Sequence, residues 1–460
     1  MPERDVNSAV VIRQPLIYSD LSVLAEHFPQ RYPHLLESVA QGALGRFDIL
    51  FAFPQSTRSL QNLADASQFL QDFASDYQKH QIPGLAADVP FHGGWFGYFS
   101  YEYAQVIEPC LQLASSHLPL AVIQRFPAAI IIDHQRQEVC FVAEPEFSGL
   151  LTMMQADYIA CTHLETNIIT SELTVISLQE EAAQQYLAGV ESIKDYILAG
   201  DVFQVNLSRE WQVSLAEATA SLAVYRQLRR HNPAPFACLV RLEDWAIISS
   251  SPERLVRYQR PWVETRPIAG TRKRSESLEQ DQALMAELIA HPKERAEHIM
   301  LIDLERNDLG RICQPGTVEV NELMVIESYQ HVHHIVSNVR GHLQPGLAPL
   351  EVIHALFPGG TITGCPKIRC MQIISELESG PREAYTGSLG YINRDGSMDF
   401  NILIRTFIQQ GQKLRFRTGA GIVADSIAQN ELEETRHKAK GLLRALGLDD
   451  FVATELRNDA

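Results

Sequence analysis

The sequence predicts an α+β fold built on large antiparallel sheets. Short apolar runs of strand length recur in the first part of the chain, for example over residues 47–53 and 128–133. Segments with helical spacing of apolar residues lie between further strand segments in the second part. Because strands and helices do not alternate regularly, a doubly wound parallel sheet is less favoured than antiparallel sheets.

The individual elements follow from this patterning. Residues 92–98 place glycines beside aromatic residues, an arrangement that permits close approach of backbones. A polar stretch over 166–180 predicts a boundary between an N-terminal region, 1–170, and a C-terminal region, 180–448. The C-terminal region has predicted helices at 182–199, 281–291, 296–304, 366–378 and 430–446, and predicted strands at 236–241, 245–249 and 262–265.

Composition narrows the class of function. The chain of 460 residues carries a formal net charge of −17, which argues against nucleic acid as its partner. Its seven cysteines are scattered and form no CxxC pair, a pattern typical of reduced thiols in a cytosolic protein. The N-terminus has no signal-peptide pattern, and no apolar run reaches membrane-spanning length. We therefore expect a cytoplasmic protein that binds neither nucleic acid nor a membrane.

Two acidic helical motifs point to a hard cation. Glu297 lies in the motif 294–311, and Glu434 lies in the motif 431–438. Mg²⁺ prefers carboxylate oxygens, and it often takes only one or two ligands from the protein. Glu431, Glu434 and Lys438 are spaced to share one helix face, which could serve a cation and an anion or carry ordinary ion pairs. Each glutamate alone is weak evidence, because most helical glutamates are simply solvated.

A glycine-rich segment could bind an anionic substrate. Residues 418–422 are predicted to form a loop between a strand at 413–417 and the C-terminal helix. Exposed N–H groups there could hold a carboxylate. A β-bulge or a strand bend is equally compatible with this segment.

Two further residues stand out on apolar segments. His334 shares a strand face with Val332 and Val336, where it is either a satisfied core residue or a general acid. Arg405 interrupts an apolar segment, 402–406, predicted as a strand. A buried arginine needs an anionic partner, which is either a protein carboxylate or a substrate carboxylate.

Taken together, these segments resemble the chorismate-utilising enzymes, which include anthranilate synthase, aminodeoxychorismate synthase, and the isochorismate and salicylate synthases. Order and spacing agree over residues 35–446. The residues that carry the match are 251–254, 267–272, 294–311, 334–337, 359–369, 399–406, 419–426 and 434–438.

The resemblance implies a β-sandwich core with helices outside, as in anthranilate synthase component I, and it implies roles for particular residues. Chorismate would be the substrate, and Mg²⁺ would be held by Glu297 and Glu434. The expected catalytic residues are His334 as acid–base group, Glu253, Gln204, and Thr271 lining the pocket. The expected substrate-binding residues are Gly419, Ala420, Gly421 and Lys438 for the ring carboxylate, and Tyr385 and Arg405 for the enolpyruvyl carboxylate.

The resemblance also bears on the nucleophile. Gln204 stands where isochorismate and salicylate synthases carry a water-activating lysine, and an amide cannot act as that base. Ammonia is therefore the expected nucleophile. Asn206, Asn401 and the segment 46–49 look more like an aminodeoxychorismate synthase, which aminates carbon 4 on the way to p-aminobenzoate and folate.

One position dissents from this interpretation. Ala269 stands where well-known aminodeoxychorismate synthases carry a nucleophilic lysine, and anthranilate synthases have alanine there. Anthranilate synthase, which makes anthranilate and pyruvate, is therefore the alternative. A non-catalytic tryptophan-binding protein is a further alternative, disfavoured by the intact set of site residues.

Two partners are also implied. A tryptophan pocket of this family is matched by Leu36, Glu37, Ser38, Asn232, Pro233 and Phe236, with a ligand-free strand and turn as the alternative. The sequence has no Gly-x-Cys-x-Gly nucleophile turn, so ammonia must come from solution or from a separate glutamine amidotransferase subunit.

Overall fold

The computed structural model describes residues 9–39, 45–83, 88–163, 173–217, 219–275, 277–329 and 332–448. The helices in this part of the chain are α1 (Ser22–His27), α2 (Ala66–His80), α3 (Ala104–Ile107), α4 (Leu150–His163), α5 (Ala183–Leu198), α6 (Ser221–His231), α7 (Leu278–Ala290), α8 (Pro292–Gly310), α9 (Pro349–Leu356), α10 (Lys367–Leu377) and α11 (Ala428–Ala445). The five helices predicted in the C-terminal region are confirmed as α5, α7, α8, α10 and α11, with shifted ends.

The strands run along the whole described chain. The first eleven are β1 (Val10–Pro15), β2 (His34–Glu37), β3 (Phe47–Ala52), β4 (Thr57–Leu60), β5 (Gly94–Phe99), β6 (Ala121–Phe126), β7 (Ala128–Asp133), β8 (Glu138–Ala143), β9 (Val175–Glu180), β10 (Gln204–Leu215) and β11 (Phe236–Leu242). The others are β12 (Trp245–Ser251), β13 (Arg254–Gln259), β14 (Trp262–Arg266), β15 (Ile268–Lys273), β16 (Glu319–Ser328), β17 (Val332–His342), β18 (Gly364–Cys365), β19 (Ser388–Asn393), β20 (Met398–Asn401), β21 (Thr406–Gln410) and β22 (Lys413–Ile422).

These strands form two antiparallel sheets. The first sheet has the order β1-β8-β7-β3-β2-β11-β12-β21-β22-β10-β18, with β9 beside β10. The second sheet has the order β15-β17-β14-β13-β20-β19-β5-β6-β4, with β16 beside β17. Strand pairs such as β3 with β7 and β10 with β22 keep an unbroken antiparallel register.

The sheets pack face to face, and helices cover their outer faces. One apolar cluster lies between the sheets, where Phe51 and Val240 of the first sheet join Phe96 and Leu389 of the second. A second cluster buries one face of α4, α6 and α11 against the first sheet. The predicted α+β fold, with a large antiparallel sandwich core and helices outside, is confirmed.

Strands from both halves of the chain share both sheets. The N-terminal strand β2 pairs with β11, and the N-terminal strand β5 pairs with β19. The boundary between the regions 1–170 and 180–448 falls partly outside the described residues, and that division stays a prediction. Within the described part of the chain, no helix is both long and apolar enough to cross a membrane.

The strand predicted at 402–405 is wrong. Residues 402–405 are not a strand: they connect β20, in the second sheet, to β21, in the first. Their apolar side chains are buried because the segment crosses the core between the sheets, not because it pairs with a neighbour. Arg405 ends this crossing with a φ of +52°, a left-handed conformation that is uncommon for a residue other than glycine. Such backbone conformations cluster at functional sites.

Candidate active site

The sheet crossing places Arg405 beside Glu253 and His334. Arg405 is half-buried, and burial lowers the pKa of its guanidinium while the charge of Glu253 opposes that shift. Within the described residues, the Arg405 side chain makes no ion pair and no hydrogen bond. A cation this far removed from water normally has a carboxylate on it, so the site has room for an anion that the protein itself does not supply.

Glu253 is a buried carboxyl at the join of β12 and β13. It is 5% exposed, and its carbonyl accepts a hydrogen bond from the Ile402 N–H at 3.0 Å. Burial raises the pKa of Glu253 to about 7, although the positive charges of Lys438 and Arg405 act against the rise. Its Oε1 is buried and has no hydrogen-bond partner among the described residues. A carboxyl group with a pKa in this range suits a general acid at neutral pH.

His334 lies across from Thr271 in the β15–β17 pair. The two side chains are hydrogen-bonded, with 2.9 Å between Thr271 Oγ1 and His334 Nδ1. Burial, and next the charge of Arg405, lowers the pKa of His334 to about 3. The imidazole is consequently neutral at physiological pH in the free protein. An anion bound to Arg405 would remove part of this effect and raise the pKa of His334.

The glycine-rich segment is a strand, not the predicted loop. Residues 418–422 continue β22 and pair with β10 through Asn206 opposite Gly421 and Ser208 opposite Gly419. The neighbouring strand β21 pairs with β22 only as far as Arg415. Beyond that point the far edge of β22 has no strand partner within the described part of the chain, which leaves backbone N–H groups on that edge available to an anion.

Neighbouring groups lie close over the two glycines of this strand. A Cβ at Gly419 would stand 2.7 Å from Asn206 Oδ1 and 2.9 Å from the Tyr385 hydroxyl oxygen. A Cβ at Gly421 would overlap the amide of Gln204. The structure thus brings Gln204, Asn206 and Tyr385 onto the strand predicted to hold the ring carboxylate.

Helix α11 contributes a cation next to the same strand. Lys438 Nζ donates a hydrogen bond to the Gly419 carbonyl at 2.9 Å and forms an ion pair of 2.7 Å with Glu434. Both side chains are about half exposed, at 45% and 48%. The i,i+4 spacing predicted for this helix face is confirmed, and it holds an ion pair beside the glycines.

Glu297 lies near the start of α8, which packs against two strands of the site. Its neighbour His298 is buried and hydrogen-bonded to Ser337 of β17, with 2.6 Å between Nε2 and Oγ. Glu294, one turn earlier, forms an ion pair of 3.2 Å with Arg272 of β15. These contacts fix the first turns of α8 against β15 and β17, the strands that carry Thr271 and His334.

The two glutamates expected to hold Mg²⁺ lie on separate helices, Glu297 on α8 and Glu434 on α11. Mg²⁺ can take as few as two protein carboxylates, with water or substrate completing its shell. The described residues contain no group of three or more His, Cys, Asp or Glu side chains that could hold a metal. A cation held by Glu434 would compete with Lys438 for its carboxylate.

A buried ion cluster behind Tyr385 was missed by the sequence reasoning. Glu378 accepts hydrogen bonds from Arg382 at 2.6 Å and from Arg417 at 3.3 Å, and also from the N–H and hydroxyl of Ser208 at 2.8 Å. Arg382 in turn lies over the Tyr385 ring, 5.6 Å from its centroid. The i,i+4 spacing of Glu378 and Arg382 is a signal that could have revealed the pair.

The predicted tryptophan pocket is only partly brought together. A cavity of about 830 Å³ between the sheets is lined by Leu36, Glu37, Ser38 and Phe236. Asn232 and Pro233 do not line it. Asn232 instead packs against α11, where its Oδ1 would be 2.9 Å from a Cβ at Gly441. The cavity is separate from the cluster around Arg405, although Arg254 in its wall directly follows Glu253 in the chain.

Comparison with known proteins identifies the family. A family model described as chorismate binding enzyme matches residues 36–444. Aminodeoxychorismate synthase component 1 of Bacillus subtilis is 43% identical over 372 residues, covering 78% of this chain and 78% of its own. Anthranilate synthase component 1 of the same organism is 38% identical over 442 residues, covering 90% of this chain and 84% of its own.

A solved structure of a related enzyme has a similar fold. Anthranilate synthase component I from Streptococcus pneumoniae superposes with a TM-score of 0.75 at 31% identity, over 87% of this chain and 93% of the other. The two curated relatives have different products and similar identity, so the comparisons fix the substrate class and leave the reaction open. The chain belongs to the chorismate binding enzymes and is a chorismate-utilising enzyme of the anthranilate synthase component I-like fold.

Proposed function

We propose that this enzyme aminates chorismate at carbon 4 with ammonia, giving 4-amino-4-deoxychorismate as a step towards p-aminobenzoate and folate. The proposal is supported by the surroundings of Arg405. This half-buried cation has no ion pair within the described residues, so it can bind a carboxylate of the substrate. Chorismate carries two carboxylates, and the planar guanidinium fork suits one of them.

The two carboxylates of the substrate are assigned to opposite sides of the site. Arg405 and the Tyr385 hydroxyl hold the enolpyruvyl carboxylate. Gly419, Ala420 and Gly421, with the Lys438 ammonium next to Gly419, hold the ring carboxylate. Two anchored carboxylates leave the ring little rotational freedom, and such positioning accounts for a large part of many enzymatic accelerations.

Loss of the carbon 4 hydroxyl requires a proton donor. Glu253, with a pKa of about 7, is partly protonated at neutral pH and suits this task better than His334, whose pKa is about 3 in the free protein. We assign proton donation to Glu253. His334, held by Thr271, hydrogen-bonds the departing oxygen and shares the proton once the substrate has neutralised Arg405.

We assign Mg²⁺ to Glu297 and Glu434. The ion, when bound, would neutralise the charge of the ring carboxylate and so ease departure of the hydroxyl. Turnover should stop in chelator and return when Mg²⁺ is added in excess. Glu297→Gln and Glu434→Gln should lose turnover and keep the melting temperature of the parent, and full activity in chelator would contradict the assignment.

Ammonia is assigned as the nucleophile because of the residue at position 204. Its amide lies over Gly421, at the glycine strand, and it offers no base with which to activate water. Asn206, beside it on β10, supports amination at carbon 4, because aminodeoxychorismate synthases resemble this chain there. With Ala269 in place of lysine, ammonia displaces the hydroxyl without a covalent adduct at that position.

Anthranilate synthase is the second candidate, favoured by Ala269 and by the 38% identical relative. A non-catalytic tryptophan-binding protein is a third and weaker candidate, resting on the cavity alone. The assay that separates them incubates the protein with chorismate, Mg²⁺ and ammonium, with and without an aminodeoxychorismate lyase. We expect p-aminobenzoate only when the lyase is present. Anthranilate and pyruvate without the lyase would establish the second candidate, and no consumption of chorismate would favour the third.

The cavity between the sheets is proposed to take tryptophan. Leu36 and Phe236 offer apolar contacts, and Ser38 and Glu37 offer polar groups to an amino acid. Calorimetric titration with L-tryptophan should show one site per chain, and Ser38→Ala should weaken it. Unchanged binding in Ser38→Ala would place tryptophan elsewhere.

A further inference from the structure

Three cations border the candidate active site of a chain whose formal net charge is −17. They are Lys273 at the end of β15, and Lys440 and Arg444 on α11. We call these three residues the cationic rim. Lys273 and Arg444 are exposed, and Lys440 is partly exposed. Isolated surface cations are ordinary, but cations that gather at one place create a local positive potential even on an acidic protein.

The rim residues act on one another, although they come from different elements. Burial lowers the pKa of Lys440, and the charges of Lys273 and Arg444 lower it further. Burial also lowers the pKa of His437, one turn earlier on α11, and the charges of Lys440 and Lys273 add to that effect. Surface charges interact over roughly 10 Å at ordinary salt concentrations. The end of β15 therefore lies near the outer face of α11.

The two elements that carry the cationic rim also carry residues of the candidate active site. On β15, Thr271 precedes Lys273 by two residues. On α11, Lys438 precedes Lys440 by two residues and donates a hydrogen bond to the Gly419 carbonyl. The cationic rim therefore borders the site on two sides, one formed by β15 and the other by α11.

The rim cations are not neutralised as the neighbouring lysine of the site is. Lys438 forms an ion pair of 2.7 Å with Glu434. Within the described residues, neither Lys273 nor Lys440 forms an ion pair. Glu433 acts on Lys440 in the opposite sense to the cations, and its effect is smaller than that of Lys273. The rim consequently adds positive charge outside the part of the site that holds the substrate.

A small dianion is the ligand that gains most from such a rim. Chorismate carries two carboxylates, and a net charge of −17 repels it from the protein as a whole. A local positive potential beside the site opposes that repulsion and raises the concentration of an anion there. None of the three rim residues is among those assigned to either carboxylate, so their effect on the substrate is exerted at a distance.

We propose that the cationic rim draws the chorismate dianion into the site by long-range electrostatic attraction, without a direct contact to it. The proposal goes beyond the proposed amination, because it depends only on the charge of the substrate. It holds whichever product the enzyme forms.

The test places the same change of charge at two different parts of the surface. Lys273→Gln with Lys440→Gln is the rim variant, and Lys79→Gln with Lys413→Gln is the matched control of equal net charge. Lys79 is exposed on α2, which packs against β4, at the opposite edge of the second sheet from β15. Lys413 is exposed at the start of β22, about 20 Å along the strand from Gly419.

Chorismate is titrated calorimetrically into the parent and both variants, with Mg²⁺ and without a nitrogen source. The titrations are made at about 20 mM and at about 0.5 M salt. We expect the rim variant to bind at least about fivefold more weakly than the parent at low salt. At high salt it should bind within about twofold of the parent, because screening removes long-range attraction. The control variant should match the parent under both conditions.

Three results would overturn the proposal. The rim variant could bind as tightly as the parent at low salt, or the control variant could lose as much affinity, which would make net charge and not position the cause. A loss that persists at high salt would indicate direct contact with the substrate. No chorismate binding by the parent would overturn the proposal together with the assigned substrate. A parent that binds chorismate and forms anthranilate would contradict only the proposed amination.

Discussion

The protein has two buried charged clusters, one around Glu378 and one around Glu253, whose charges both act on the Tyr385 hydroxyl. The two clusters differ in whether the protein completes them. In the first, Glu378 is matched by Arg382, Arg417 and Ser208. Although burial alone would raise the pKa of Glu378, the two arginines hold it below its usual value. In the second, burial raises the pKa of Glu253 to about 7, and Arg405 makes no ion pair within the described part of the chain.

This difference indicates that the Glu378 cluster stabilises the fold and that the Arg405 cluster binds a ligand. Buried charges normally appear with their partners, because an uncompensated charge is costly away from water. The Glu378 cluster obeys this rule and fixes the floor beneath Tyr385. The Arg405 cluster departs from it, and a departure that persists in a folded protein indicates that the missing partner is a ligand.

The largest effect on stability is expected when the complete cluster is broken. Glu378→Ala leaves Arg382 buried without its carboxylate partner, and it leaves Arg417 with only Glu181, at 4.0 Å. We expect the free energy of unfolding to fall by about 3–5 kcal/mol, measured by urea unfolding at pH 7. A loss below about 1 kcal/mol would mean that the cluster is not a structural ion network.

In the Arg405 cluster, the carboxylate of Glu253 should affect the rate of turnover. Glu253→Gln keeps the shape of the side chain and removes its proton chemistry. We expect turnover to fall by about 10²-fold or more, as is typical for a general acid, with the parent's circular dichroism spectrum retained. His334→Ala is the companion variant, and a larger loss there than in Glu253→Gln would move proton donation back to His334.

Glu253→Gln should also change the free energy of unfolding, by an amount that depends on pH. The pKa of Glu253 rises from 4.5 to about 7 on folding, so its contribution to stability is fully present below pH 4.5 and is lost as the pH rises through 7. Glu253→Gln should therefore match the parent in acid and exceed it by about 1–3 kcal/mol at pH 8. Urea unfolding at both pH values measures this, and a gap that narrows as the pH rises would contradict the raised pKa.

The smallest effect on stability is expected at Arg405. Arg405→Gln removes a cation that makes no ion pair within the described residues. We expect the free energy of unfolding to change by less than about 1 kcal/mol, in contrast to Glu378→Ala. A loss as large as that of Glu378→Ala would show that Arg405 is part of the structural framework.

Much of the fold followed from sequence patterning. Apolar alternation and helical spacing located the main elements, because burial of one face imposes a period on the sequence. The segment 402–405 misled this reasoning, since a chain crossing between two sheets is as apolar as a strand. The glycines of β22 also misled it, because Gly419 and Gly421 lie within a strand, under Gln204, Asn206 and Tyr385, and not in a turn.

The candidate site was less accessible from sequence. The identities of Glu253, His334 and Arg405 came from resemblance to a family, not from spacing along the chain. That Arg405 has no ion pair, and that Glu253 and His334 have pKa values shifted in opposite directions, depends on three segments meeting in space. No pattern within one segment carries that information.

If a substrate carboxylate completes the Arg405 cluster, chorismate binding depends on Arg405. Chorismate is titrated calorimetrically into the parent and into Arg405→Gln, with Mg²⁺ and without a nitrogen source. We expect one site per chain in the parent and at least about tenfold weaker binding in Arg405→Gln, the loss of one charge-assisted pair. Equal affinity in the two proteins would mean that the anion missing from Arg405 is not a carboxylate of chorismate.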